Sequence, residues 1–208
     1  MDTITPLAAL ILSALLSLNP RPNTDADMAR AVVVAQEIEA AVEGADKLPV
    51  TGDAAKEGSA LALVAVGWHE SKFRADIADC RACDGKSALC DRGTSISSFQ
   101  MKQRAWGGNT REQVCADGSL AASLSLRLMA SHKVSMPGVF RAYARGGAEM
   151  PSKPAAEITA IYEKLLNKFR FRFIHKVVTE VSPAPTPRAK AIKTEESKAI
   201  KIARAVTP

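Results

Sequence analysis

The sequence is short of aromatic residues, which make up 5% of its 208 positions, and has no apolar run long enough to cross a bilayer. A spanning helix needs about 20 apolar residues, so a polytopic membrane protein is excluded. Few aromatics and abundant alanine favour helices packed on small side chains over a β-sandwich. No glycine-rich phosphate loop, no Ser-His-Asp grouping and no internal repeat is present. The pair His69-Glu70 has no second histidine four residues on, so it is not a zinc-protease motif. His132 and His175 stand alone and read as structural or surface residues.

What is present is a chain of one catalytic-size domain with extensions. Hydrophobic residues at 47% and charged residues at 24% exclude a wholly disordered chain. Lys and Arg number 28 against 22 Asp and Glu, a net charge of +6. That excess suits a polyanion, whether nucleic acid, an anionic membrane or an acidic wall polymer, without choosing among them. The four cysteines, Cys80, Cys83, Cys90 and Cys115, cluster in the middle third. They read as two disulfides of unknown pairing, one zinc site or free thiols. Disulfides would place the protein outside a reducing cytosol.

The expected fold is mainly α. The segment 1–23 carries an apolar run from Leu7 to Leu18. It is either a signal peptide or anchor, or a short helix docking on the domain or a partner. Asp2 and the lack of a preceding Lys or Arg stand against a signal peptide. A second helix is expected from Thr24 or Asp25 to Gly44, with Met28, Ala31, Val32, Ala35, Ile38 and Val42 as its apolar stripe. Gly44 to Gly58 reads as a loop. Ala60 to Phe73 is apolar on every side, which marks a central helix with others packed about it. Cys80 to Gly93 reads as a loop, and Ser95 to Met101 as a strand or a tight turn. Further helices are expected around Leu120 to Met129, stopping before Pro137, and around Val139 to Ala144, ending at Gly146-Gly147. In 151–181 a helical stripe runs into the basic KFRFRFIHK, whose alternating Phe169, Phe171 and Phe173 suit a strand or a basic helix. The three prolines of Ser182 to Pro187 read as a stiff linker, and the rest of 182–208 as a basic tail.

Glu70 is the strongest candidate for chemistry. A carboxyl ending a buried apolar helix, beside Trp68, is costly to ionise, so its pKa should rise. A carboxylic acid that keeps its proton near neutral pH can protonate a leaving group. The plainer alternative is a solvated helix end, or a pair with Lys72 or Arg74. His69 should face elsewhere, since successive helix positions point about 100° apart. Gln100, between Phe99 and Met101, and Tyr143, before a glycine pair, are further candidates, each weak alone.

Together, in this order, the motifs resemble the soluble lytic transglycosylase family, the goose-type-lysozyme-like branch of the lysozyme superfamily. The resemblance covers Ala60 to Gly147. It rests on Glu70-Ser71 in VGWHESKF, on Ser97-Ser98-Phe99-Gln100-Met101 for a Gly-Leu-Met-Gln-Ile-like run, on the helix LAASLSLRLM, and on Ala142-Tyr143-Ala144-Arg145-Gly146 for an Ala-Tyr-Asn-Ala-Gly-like run. Ser97 stands where the family has glycine, and Ala144 where it has asparagine, which removes a polar contact.

The resemblance implies a lysozyme-like catalytic domain at 24–150 that cleaves the bond between N-acetylmuramic acid and N-acetylglucosamine in peptidoglycan glycan strands. Glu70 would act as general acid and then as base on the muramic 6-hydroxyl, closing a 1,6-anhydro ring. Ser98 and Gln100 would line the cleft and bond N-acetyl groups, with Phe99 and Met101 beside them. Tyr143 would orient Glu70 or the sugar, and Ser71 would fix the helix end. No cofactor and no metal is implied. No second carboxylate is clearly placed among Asp76, Asp79, Asp84 and Asp91, so hydrolysis stays open. The expected location is extracytoplasmic: a phage virion, a secretion machine or the periplasm. Virion or envelope proteins would be partners through the N-terminal segment and the tail, and nucleic acid is a further candidate for the tail. The non-enzymatic alternative is a lysozyme-like structural part of a virion or envelope assembly.

Overall fold

The structure is a computed structural model that describes residues 4–19, 24–85, 90–132, 134, 136, 138–145 and 152–180. It is mainly helical among those residues. The helices are α1 (Pro6–Leu18), α2 (Asp25–Glu43), α3 (Ala55–Ser71), the short turns α4 (Ala75–Ala78) and α5 (Cys90–Gly93), α6 (Arg111–Ala116), α7 (Gly118–Ser131), α8 (Gly138–Arg145) and α9 (Lys153–Glu180). Two short antiparallel strands, β1 (Ser95–Ile96) and β2 (Met101–Lys102), pair Ser95 with Lys102 and Ile96 with Met101. The segment Ser95 to Met101 is therefore strand and turn at once.

The core is built around α3, where every residue from Ala60 to Val66 is fully enclosed. The helix has no polar face because α1, α2 and α7 all pack against it. Its side chains are small enough for those neighbours to approach closely, as a helix apolar all round requires. It begins at Ala55, inside the segment expected to be loop.

Sequence chemistry explains the ends of α2. Thr24 and Asp27 form a reciprocal capping box, and Gly44 closes the helix. The buried stripe is Val34, Ala35, Ile38, Ala41 and Val42. The expected stripe needs correcting at its start. Met28 is exposed, because the first turn projects past the core, and Val34 takes the inward position instead. The period of the basic aromatic stretch is also resolved: the backbone is helical throughout α9. Phe169 is buried, while the side chains of Phe171 and Phe173 lie outside what is described.

Two compact units divide the chain. The first, Met1–Phe169, takes in both α1 and the first part of α9, where Ala155, Ile158, Tyr162, Leu165 and Phe169 are buried. Phe140 meets Tyr162 edge to face at 5.4 Å. The core therefore extends beyond the boundaries 24–150 drawn from sequence, because α9 supplies an apolar face that α8 needs covered. Of the second unit, Arg170–Pro208, the helical backbone is described up to Glu180. The proline-rich segment, the basic tail and Gly146-Gly147 lie outside the described residues. No helix among the described residues is long and apolar enough to cross a membrane.

The turn after α3 sets up the site. Lys72 ends the helix in the left-handed conformation, and Phe73 follows with a positive φ as well. This folds the Phe73 ring back onto Gly67. A Cβ on Gly67 would stand 2.3 Å from that ring. Gly67→Ala must push the ring aside in a close-packed interior, at a cost of about 1–3 kcal/mol. Denaturant unfolding should show that loss, whereas unchanged stability would mean the ring is not seated on this glycine.

Candidate active site

Glu70 lies in the last turn of α3, where the buried helix reaches the wall of an open cleft of about 770 Å³. Gln100, Met101 and Tyr143 line the same cleft, with Asp91, Lys102 and Arg104. Four candidates named from the sequence thus converge on one cavity although 73 positions separate Glu70 from Tyr143. Ser71, Ser98 and Phe99 do not line it.

Ser71 is buried and works locally. Its hydroxyl donates to the Gly67 carbonyl at 3.1 Å and accepts from the Phe73 N–H at 3.0 Å. These two bonds carry the chain through the left-handed turn, so that Glu70 sits on a helix end that is fixed and not frayed. Ser98 needs correcting as a cleft residue. It is buried behind the hairpin turn, against a separate small cavity shared with Arg30 and Glu37. Phe99 points into the core, edge-on to Phe73 at 6.1 Å. Along the tight turn Ser98 and Phe99 are thus both buried away from the cleft, while Gln100 and Met101 line it.

The turn itself is held in place by Tyr143. Its hydroxyl donates to the Phe99 carbonyl at 2.6 Å and accepts from the Ser125 hydroxyl at 3.3 Å. The donor is therefore committed to the turn and not to Glu70, the first of the two partners, Glu70 or the sugar, expected of it. Burial, and then the charge of Glu70, push the phenol far above its ordinary pKa, so it stays a neutral donor throughout the working range. Gln100 has a φ of 48°, and its amide nitrogen donates to the Ser97 carbonyl at 3.0 Å and lies 3.6 Å from the Cys90 sulfur. Met101 is held through its carbonyl, which accepts from the Trp106 indole at 3.0 Å.

The Glu70 carboxyl makes no hydrogen bond or ion pair among the described residues. Burial, reinforced by the negative charge of Asp91 and opposed by Lys72, pushes its pKa from 4.5 up to about 7. Lys72 is drawn away over the Trp68 ring, 5.5 Å from its centre. His69 faces Glu157 of α9, with its Nδ1 3.5 Å from the carboxylate.

Asp91 is the functional candidate that sequence reading did not single out. It follows Cys90 directly and has a φ of 47°. Its carboxylate accepts from the Ser95 hydroxyl at 2.9 Å and lies 3.8 Å from the Lys102 ammonium. The two disulfides, Cys80–Cys115 and Cys83–Cys90, shape this wall. All four cysteines are paired, so the zinc and free-thiol alternatives fall away. No group of metal-ligating side chains occurs among the described residues.

The raised pKa of Glu70 has a consequence for stability. The folded state holds this proton more tightly than the unfolded chain, so the favourable contribution is complete below pH 4.5 and is lost as pH rises through about 7. Glu70→Gln removes that loss. Above pH 7 the variant should be more stable than the parent, by up to about 3 kcal/mol, with little difference at pH 4. Thermal unfolding at the two pH values checks this, and equal stability of both proteins at pH 8 would show a carboxyl of ordinary acidity.

No protein-family model matches the chain, and neither a curated protein nor a solved structure is similar to it.

Proposed function

We propose that the protein is a lysozyme-like, peptidoglycan-cleaving enzyme that breaks the β-1,4 bond between N-acetylmuramic acid and N-acetylglucosamine, as the resemblance to soluble lytic transglycosylases implies. The observation that carries this reading is the Glu70 carboxyl at the wall of an open cleft of about 770 Å³, without a hydrogen bond or ion pair among the described residues, where burial pushes its pKa up to about 7. At neutral pH a large share of Glu70 is protonated. It gives that proton to the glycosidic oxygen as the C1–O4 bond breaks, and the 4-hydroxyl of N-acetylglucosamine leaves. The Glu70 carboxylate then takes the proton of the muramic 6-hydroxyl as that oxygen bonds to C1. The product is a 1,6-anhydro end, the acid is regenerated and no water is consumed.

Gln100, set at the rim by its turn, and the basic Lys102 and Arg104 would contact the strand. Its acidic stem peptides give these cations a counterpart. The disulfides are compatible with an oxidising, extracytoplasmic location. A phage virion, a secretion machine or the periplasm would each supply one.

A specific observation favours a second reading, hydrolysis. Asp91 shares the cleft with Glu70, and paired carboxyls across a scissile bond are what hydrolytic glycosidases use. Asp91 would there activate a water for attack at C1, giving a reducing end.

The test is clearing of a peptidoglycan gel by the parent protein and its Glu70→Gln variant. The variant should lose about 10²–10⁴-fold in activity, and the parent should lose activity as pH rises past about 7, when the acid ionises. Mass spectrometry of the fragments then reads anhydro ends for the transglycosylase and reducing ends for the hydrolase. Equal clearing by both proteins removes Glu70 from the chemistry. No clearing by the parent leaves a helical scaffold in an assembly.

A further inference from the structure

We propose that Arg111 is a positioning residue that fixes Asp91 at the cleft by clamping the two ends of its loop. The inference rests on the second, hydrolytic reading above, in which Asp91 is the carboxylate paired with Glu70.

Arg111 opens α6, whose start is fixed by a capping box between Thr110 and Gln113. From there its guanidinium reaches back to two backbone carbonyls. Nη1 donates to Gly93 at 2.9 Å, and Nη2 donates to Cys83. These carbonyls flank Asp91 along the chain, and one of them belongs to Cys83 of the Cys83–Cys90 disulfide. A planar fork with several donors suits this double bond, and an ammonium cannot reproduce it. Cys115 sits four residues further along α6, hence on the same face, and ties the helix to Cys80. One face of α6 thus holds the Asp91 loop at Cys80 by a covalent bond, and at Cys83 and Gly93 through Arg111.

The loop needs such a clamp. Cys90, Asp91 and Arg92 are consecutive residues with positive φ, a conformation that costs about 1–2 kcal/mol for each. Of these three only Cys90 is buried, while Asp91 and Arg92 are exposed and bring no core packing to offset the cost. Gly93 also has a positive φ, and a Cβ there would stand 3.0 Å from the Cys83 carbonyl. The two ends of the loop are therefore in contact, and Arg111 is the side chain that bridges them.

The charged and titratable groups around Glu70 give the test its sign. They are Lys72 at the end of α3, Asp91 on the loop, Tyr143 on α8, and Lys102 and Arg104 lining the opposite wall. Asp91 raises the pKa of Glu70. If Arg111→Met lets Asp91 drift, the pKa of Glu70 falls. Loss of a nearby cation alone would move it the other way.

The experiment compares the parent, Asp91→Asn, Arg111→Met and the double variant, with intact mass confirming both disulfides. Two readouts are used: the alkaline limb of peptidoglycan cleavage, and the pH dependence of thermal unfolding between pH 4.5 and 8. Arg111→Met should cost about tenfold or more in rate and shift both profiles to lower pH, as Asp91→Asn does. In the Asp91→Asn background it should add no further shift. Should Arg111→Met not fold, Arg111→Lys is measured in the same way and should show a smaller shift of the same sign. Unmoved profiles, a shift to higher pH, or full additivity in the double variant would overturn the proposal. If the parent cleaves no peptidoglycan, the functional reading fails, while the unfolding profiles still decide the role of Arg111.

Discussion

The enclosure of α3 is the constraint on which the rest depends. Seven consecutive residues, Ala60 to Val66, are shut away from solvent, so the helix can leave the core only at its ends. At its C-terminal end Glu70 must take up a half-buried position, with hydrocarbon on one side and the cleft on the other. The left-handed turn at Lys72 and Phe73, the Phe73 ring seated on Gly67 and the two bonds of Ser71 prevent that end from unwinding into water. Those contacts are what turn a costly burial into a persistent feature. Without them the carboxyl would reach solvent and its pKa would return toward 4.5.

The opposite wall of the cleft is organised by different physics. It is a short hairpin, which anchors itself in the core through Ile96, Phe99 and Met101, with a loop whose Asp91 and Arg92 are exposed in left-handed conformation. Its geometry comes from directed bonds: the Tyr143 phenol on Phe99, the Trp106 indole on Met101, the Ser95 hydroxyl on Asp91 and the two disulfides. A hydrophobic half thus sets the acid, and a hydrogen-bonded, cross-linked half sets the groups facing it. The two respond differently to perturbation. Overpacking at Gly67 acts on the first through stability, and loss of a directed bond acts on the second through placement.

The parts legible in the sequence are those governed by local pattern. The all-round apolar run announces α3 and places Glu70 at its end, and Thr24 and Gly44 mark the ends of α2. The segment Thr110 to Gln113 carries the capping-box pattern that starts α6. Other features depend on contacts between distant residues. Tyr143 meets Phe99 44 positions away, and Cys80 meets Cys115 35 positions away. No periodicity encodes such pairings. The side to which Ser98 and Gln100 point is set by a turn whose positive φ at Ser97 and Gln100 is unusual for these residue types. Asp91 looked like one loop aspartate among four, because only the folded loop brings it to the cleft.

The central claim is that residue 70 keeps its proton near neutrality because it is withdrawn from water beside a second negative charge. The most direct test is a carboxyl-carbon NMR titration of the intact protein, with the Glu70 resonance assigned by its absence in Glu70→Gln. A midpoint near 7 is expected. A midpoint near 4.5, the value of an ordinary glutamate, would contradict it.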